Sequence, residues 1–126
     1  MRVFTAKGFS RFARKEGIVD AKLCAAVKEA EQGQIDADYG GDVIKQRIAR
    51  PGEGKSGGYR AIVLFRRGER AFFVHGFAKN DQDSINARQE RFFKDLAKTL
   101  FSLSDDAIKE LLESNQFTEV ICNEKN

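Results

Sequence analysis

A chain of 126 residues has room for one core and little more, since single domains run on the order of 100 to 200 residues. Hydrophobic residues at 41%, eleven Phe among them, supply that core, while 33% charged residues and a single Pro exclude a disordered or fibrous chain. The longest apolar runs, Ala61 to Phe65 and Ala71 to Val74, fall far short of the roughly 20 residues that cross a bilayer, and Lys7, Arg11, Arg14 and Lys15 interrupt any secretory leader, so a cytoplasmic protein without membrane contact is expected.

Arg2 to Thr5 is short, β-branched and aromatic and predicts a first strand, broken by Gly8. Ser10 is placed to cap a short basic helix running to Lys15 and ended by Gly17, and Asp20 to cap a second with Leu23, Val27 and Ala30 at helical spacing, ended by Gly33. From Val43 the period becomes two: Ile44 and Ile48 alternate with Lys45 and Arg47, as in a strand with one buried face and two cations on the open one. A Pro/Gly-rich connection from Arg50 to Gly58 follows, with Lys55 at its centre. Two more strands, Arg60 to Arg66 and Arg70 to Lys79, meet at a hairpin-length turn, so residues 43 to 79 predict a three-stranded antiparallel meander. Asp83 or Ser84 then caps a long helix whose Ile85, Phe92, Phe93, Leu96, Leu100 and Phe101 form an apolar stripe covering the sheet. Ser104-Asp-Asp starts a shorter helix with Ile108, Leu111 and Leu112 inward, and Phe117 to Cys122 is a last strand or an extended tail. The expectation is an α+β domain spanning 1–126, an antiparallel or mixed sheet built on the meander with helices on one face, and residues 104–126 as a C-terminal extension.

The net charge of +3 is too small to name a partner, but its distribution is uneven. Residues 1–42 carry seven Lys/Arg against seven Asp/Glu, residues 43–80 nine against two, and residues 81–126 six against ten. A basic centre beside an acidic end suggests a polyanion site, with scattered solvated charge as the alternative. Ala49 to Ser56 satisfies a relaxed phosphate-loop pattern, but a β-rich run follows Lys55-Ser56 where a nucleotide site needs a helix. Alternation puts Arg60 and Arg66 on one side of their strand, and His75 and Lys79 on one side of theirs. If the register aligns these sides, Lys45, Arg47, Lys55, Arg60, Arg66, His75 and Lys79 share one sheet face, opposite the face that the long helix covers. Otherwise the cations are an ordinary solvated face that discourages edge pairing. His75, the single histidine, reads first as a hydrogen-bonded packing residue and second as an acid or base; no companion cluster supports a metal site. Cys24 and Cys122 match no metal spacing or disulfide framework and read as free thiols.

The strings Gly54-Lys-Ser-Gly-Gly-Tyr-Arg60 and Phe73-Val-His-Gly-Phe-Ala-Lys-Asn80, followed by a helix, are similar to toxins of the RelE/HigB superfamily, in particular a HigB-like branch with GKSGGxR and GFAKN strings, over residues 1 to 103 in element order. The resemblance implies an mRNA endoribonuclease, usually acting on the ribosome, held inactive by a cognate antitoxin. That antitoxin is commonly a helix-turn-helix protein, through which alone operator DNA is reached. It carries Lys55, Arg60 and Lys79 over as site residues; Arg66, Lys45 and Arg47 are added by sheet alternation as RNA-binding candidates, and His75 as a reserve acid or base. No tyrosine follows the last meander strand as in several relatives; Phe77 and Asn80 stand nearby. Cleavage by 2′-hydroxyl attack needs a base, a cation for the developing phosphorane and an acid for the leaving oxygen, all obtainable from cationic side chains with neither cofactor nor metal. Crowded like charge lowers lysine basicity, suiting Lys79 or Lys55 as base, while Arg60 stays protonated and holds the phosphate. The competing readings are a noncatalytic nucleic-acid or ribosome-binding module and a subunit that acts mainly through its antitoxin.

Overall fold

A computed structural model describes residues 1–50, 54–78 and 84–122, the side chains of residues 50 and 54–57 excepted. In chain order it runs β1 (Arg2–Ala6), α1 (Lys7–Glu16), α2 (Asp20–Glu31), β2 (Ala37–Gly40), β3 (Val43–Arg50), β4 (Gly54–Arg66), β5 (Arg70–Ala78), α3 (Ala87–Phe101), α4 (Asp105–Glu113) and β6 (Phe117–Val120). The strands form one sheet in the order β2-β3-β4-β5-β1-β6. The expected meander is its centre, with Lys45 opposite Ile62 and Ile62 opposite His75, and with Arg47 opposite Arg60 and Arg60 opposite Phe77. Only β1 and β5 run parallel among the described strands, so the sheet is mixed. The α+β class and the mixed sheet agree with the sequence reading.

The distribution of helices does not. One core lies between the sheet and α1 and α2, with Phe9, Ala13, Leu23, Val27 and Ala30 against Ile44, Ile48, Val63 and Phe73. A second lies on the opposite face, where Phe93, Ala97, Leu100 and Ile108 meet Val43, Ile62, Leu64 and Phe72. Helices therefore cover both faces, and the row that begins at Lys45 and Arg47 faces α3 instead of lying opposite it. The reason is visible along β4, where Tyr59, Ala61, Val63 and Phe65 serve one core and Ile62 and Leu64 the other, so the strand is apolar on both sides.

Local chemistry sets the element ends. Helix α1 begins at Lys7, three residues before the expected cap; Ser10 lies inside it and shares a 2.7 Å hydrogen bond with the buried hydroxyl of Thr5. Gly17 ends α1 at φ +73°, where the left-handed conformation favours glycine and the Ile18 amide reaches the Ala13 carbonyl. Helix α2 starts at Asp20 itself, so the cap position falls on Val19, which makes no side-chain cap hydrogen bond. The cap of α3 is Asn86, not Asp83 or Ser84: its side chain accepts from the Gln89 amide, and the Gln89 side chain accepts from the Asn86 amide. Asp83 lies outside the described residues, and the Ser84 hydroxyl bonds that of Tyr39 at 2.6 Å. From that start Phe93, Ala97 and Leu100 turn inward and Phe92 outward, 60% exposed, which removes it from the predicted stripe. Strand β4 begins at Gly54, with Gly54 paired to Arg50, so Gly54 to Gly58 of the predicted connection, Lys55 included, are strand; residues 51–53 lie outside the described residues. At Gly76 a Cβ would strike the ring of Phe12, so the close approach of α1 to β5 requires glycine.

The C-terminal strand is integral to the sheet. Strand β6 pairs antiparallel with β1, Val3 opposite Val120, and Arg2 holds Glu119 at 2.9 Å. Arg70 donates to the Leu100 and Leu103 carbonyls at 3.1 and 2.9 Å and to Asp105 at 3.0 Å, joining the end of α3 to the start of α4. Cys24 on α2 and Cys122 just after β6 form a disulfide, Cα to Cα 5.6 Å, which overturns the expectation of free thiols. Their separation of 98 residues concealed the pairing, because only the return of β6 to the free edge of β1 brings them together. Closing so long a loop restricts the unfolded chain, so replacing both cysteines by serine is expected to cost about 2–4 kcal/mol. Urea unfolding of the oxidised wild type beside the double variant checks this, and coincident midpoints would contradict it.

Candidate functional site

On the α3 face, at the end of the sheet nearer β2, Asp36 gathers three predicted cations. Its carboxylate lies 2.8 Å from Arg47 Nε, 3.5 Å from Arg60 Nε and 3.6 Å from Lys45 Nζ. The side chains of Asp36 and Arg60 are only 11% and 6% exposed, while Arg47 is 48% exposed. Lys45 and Arg60 have further interactions as well.

Two of the cations meet through strand register, Arg47 lying directly opposite Arg60. Asp36 is fixed by its main chain: its amide donates to the Lys45 carbonyl at 3.1 Å and to Gln46 Oε1 at 3.2 Å. Gln46, on the other side of β3, in turn donates to the carbonyls of Ala26 and Gln34, so α2, the chain leading to β2 and the carboxylate are tied to one buried amide. A cleft of about 280 Å³ opens beside this point, lined by Glu29, Gln34, Ile35, Asp36, Gln46 and Arg47.

Burial opposes the Asp36 charge, but the Arg47 hydrogen bond and the positive charges of Arg47, Lys45 and Arg60 outweigh it and hold the carboxyl below the usual aspartate range. Three cations thus face one carboxylate, and Glu29 adds a second acid to the lining of the cleft. Among the described residues no group of three or more His, Cys, Asp or Glu is placed to hold a metal ion.

His75 lies on the same face by a route that simple alternation misses. Phe73 pairs with Val63 and His75 with Ile62, so Val74 is an extra residue in β5, and this β-bulge sends Phe73 to the α1 side and His75 to the α3 side. The imidazole packs beside Phe77 and Phe93, ring centres 5.6 and 6.1 Å away, and its Nε2 is buried without a hydrogen-bond partner. The ring packs as expected of a strand histidine, but the expected hydrogen bond is not made at Nε2. Arg66 shares the face but not the cluster: it binds Asp42 at 2.9 Å, sits 4.6 Å from the centre of the Phe101 ring, and lies about 20 Å along β4 from Arg60. Lys79 and Asn80 lie outside the described residues, as does the side chain of Lys55.

Sequence reasoning missed Asp36 and Gln46. Asp36 counted only as one of seven acids in a neutral segment, and β2, which follows it, is a four-residue Ala-Asp-Tyr-Gly strand without a hydrophobic signal. Gln46 holds a position that alternation assigns to the buried face, where a polar residue implies satisfied partners; that was the available signal.

A mixed sheet between helical layers, with three cations from adjacent strands gathered around Asp36 at one end of one face, defines a small α+β protein. The chain belongs to the RelE toxin family: the family described as RelE toxin of the RelE / RelB toxin-antitoxin system matches residues 1–120. Membership makes it a translation-inhibiting toxin with an antitoxin as its partner. No curated protein matches the chain. Among the described residues no helix is long and apolar enough to cross a membrane.

A carboxyl titrating lower in the folded than in the unfolded chain stabilises the fold above its unfolded pKa, and that stabilisation is lost as pH falls through the folded one. Asp36 and Glu119, the latter held down by its Arg2 hydrogen bond, are both lowered. The urea midpoint is therefore expected to fall as pH drops from about 5 toward 2, and to fall less steeply in Asp36→Asn; parallel curves would show that Asp36 does not carry this linkage.

Proposed function

We propose that the chain is an mRNA endoribonuclease of a HigB-like branch of the family, acting in the cytoplasm on ribosome-associated message without a cofactor. One domain spanning 1–126 would carry the site, with residues 104–126 as its C-terminal part. The observation that carries this reading is the focusing of Lys45, Arg47 and Arg60 at one end of the sheet face that also bears His75. Arg47 and Lys45 bind RNA phosphates, while Arg66, occupied by Asp42 and Phe101, acts only as a distant contact.

In the reaction a lysine, Lys79 or Lys55, takes the proton of the ribose 2′-hydroxyl. The oxygen attacks the adjacent phosphorus, the bond to the 5′-oxygen breaks, and that oxygen leaves with a proton from a second cationic group or from His75. The products are a 2′,3′-cyclic phosphate and a 5′-hydroxyl. Arg60 neutralises the phosphorane, a role that its permanent charge suits. The cognate antitoxin is a helix-turn-helix protein and provides the contact with operator DNA.

Inducible expression with mapping of RNA 5′ ends tests the assignment. Wild type is expected to arrest growth and generate new 5′ ends, and Arg60→Ala/Lys79→Ala to cut at least about 100-fold more slowly while remaining folded. Unchanged cleavage by the folded double variant would overturn it. A 2′-deoxy substitution at the cut site should leave the substrate intact; its cleavage would exclude 2′-hydroxyl attack.

A further inference from the structure

Asp36 occupies the place of an anion. Its carboxylate draws Arg47, Arg60 and Lys45 to within 2.8, 3.5 and 3.6 Å, the arrangement by which guanidinium and ammonium groups also grip a phosphate. The three differ in access: Arg60 is 6% and Lys45 15% exposed, but Arg47 is 48% exposed and reaches the cleft.

We propose that Asp36 is the resident counter-anion of the phosphate-binding cations Lys45, Arg47 and Arg60, positioning them in the free protein and weakening their hold on the incoming phosphate. The inference rests on the RNA reading of this face. An arriving phosphate meets Arg47 directly and the field of Lys45 and Arg60 behind it. Asp36 cannot swing aside at no cost, because its amide is held by Gln46 and by the Lys45 carbonyl. It remains beside the bound phosphate as a like charge, so it lowers affinity. Without it Arg47 and the buried Arg60 lose the carboxylate that orients their Nε atoms. Asp36 is thus a positioning residue whose two effects have opposite signs.

Asp36→Asn separates them. Binding of an uncleaved, 2′-deoxy-substituted RNA oligonucleotide at low salt is expected to tighten about fivefold or more, since a unit negative charge leaves the subsite. Cleavage of the ribose substrate at saturation is expected to slow about tenfold or more, since the cations lose their alignment. Asp36→Glu, which keeps the charge, should return affinity toward wild type. Weaker RNA binding by folded Asp36→Asn, the mark of a merely structural role, would overturn the proposal. So would an affinity gain that persists when Arg47→Gln is added.

If Asp36→Asn does not fold, inorganic phosphate supplies the measurement on the wild-type chain. Phosphate should raise Tm more than chloride of equal ionic strength, and Arg47→Gln should abolish the difference; equal effects of the two salts on wild type would overturn the subsite. A wild-type chain that cuts no RNA sinks the ribonuclease reading, while the phosphate measurement still decides the subsite.

Discussion

A slip of one residue between β3 and β4 would exchange Ile44, Gln46 and Ile48 for Val43, Lys45 and Arg47 against α2, burying two cations in an apolar core. The observed register avoids this and makes the site at the same time. It sets Arg47 against Arg60, leaves Gln46 under α2, and aligns Lys45, Ile62 and His75 across three strands. The bulge at Val74 is the one departure from two-residue alternation in the β4–β5 ladder, and it delivers the imidazole to the α3 face without moving Phe73 from the other core. Packing and chemistry therefore share one constraint, the pairing of the meander.

Polar groups do much of the joining between layers. Gln46 fastens α2 and the chain before β2, Arg70 collects the carbonyls at the end of α3 together with Asp105, and Arg2 clasps Glu119 on β6. Gln46 satisfies backbone groups that would otherwise be costly to bury. The Cys24–Cys122 disulfide adds a covalent tie between α2 and the segment after β6. The positive charge counted in the central third of the chain is divided accordingly. Arg66 pairs with Asp42 and Arg70 with Asp105 at one end of the sheet face, and Lys45, Arg47 and Arg60 meet at the other.

How far the sequence could be read follows from which signals are local. The meander was legible in the alternation of Ile44 and Ile48 and in the runs on either side of Gly68, and α2 in the spacing of Leu23, Val27 and Ala30. Strand β2 was not, because Ala37 to Gly40 has neither apolar alternation nor β-branched residues, and its pairing comes from β3. The covering of both faces was hidden for the same kind of reason: β4 is nearly continuous in apolar residues, and such a run does not say which face is free. In the site, the cations were found because strand alternation is local. Asp36 was not, because its partners lie nine to twenty-four residues onward in sequence and meet it only through the fold. The cysteine pair is the extreme case, decided wholly by where the chain returns.

The proposed RNA interface is the α3-side face of the meander and not the basic outer surface of α1, where Arg11, Arg14 and Lys15 are exposed. Photo-cross-linking of 4-thiouridine RNA to the folded protein, with the modified peptides identified by mass spectrometry, tests it directly. Cross-links are expected in peptides of β3, β4 and β5, centred near Arg47 and lost in Arg47→Gln. Cross-links confined to α1, unchanged in that variant, would contradict it.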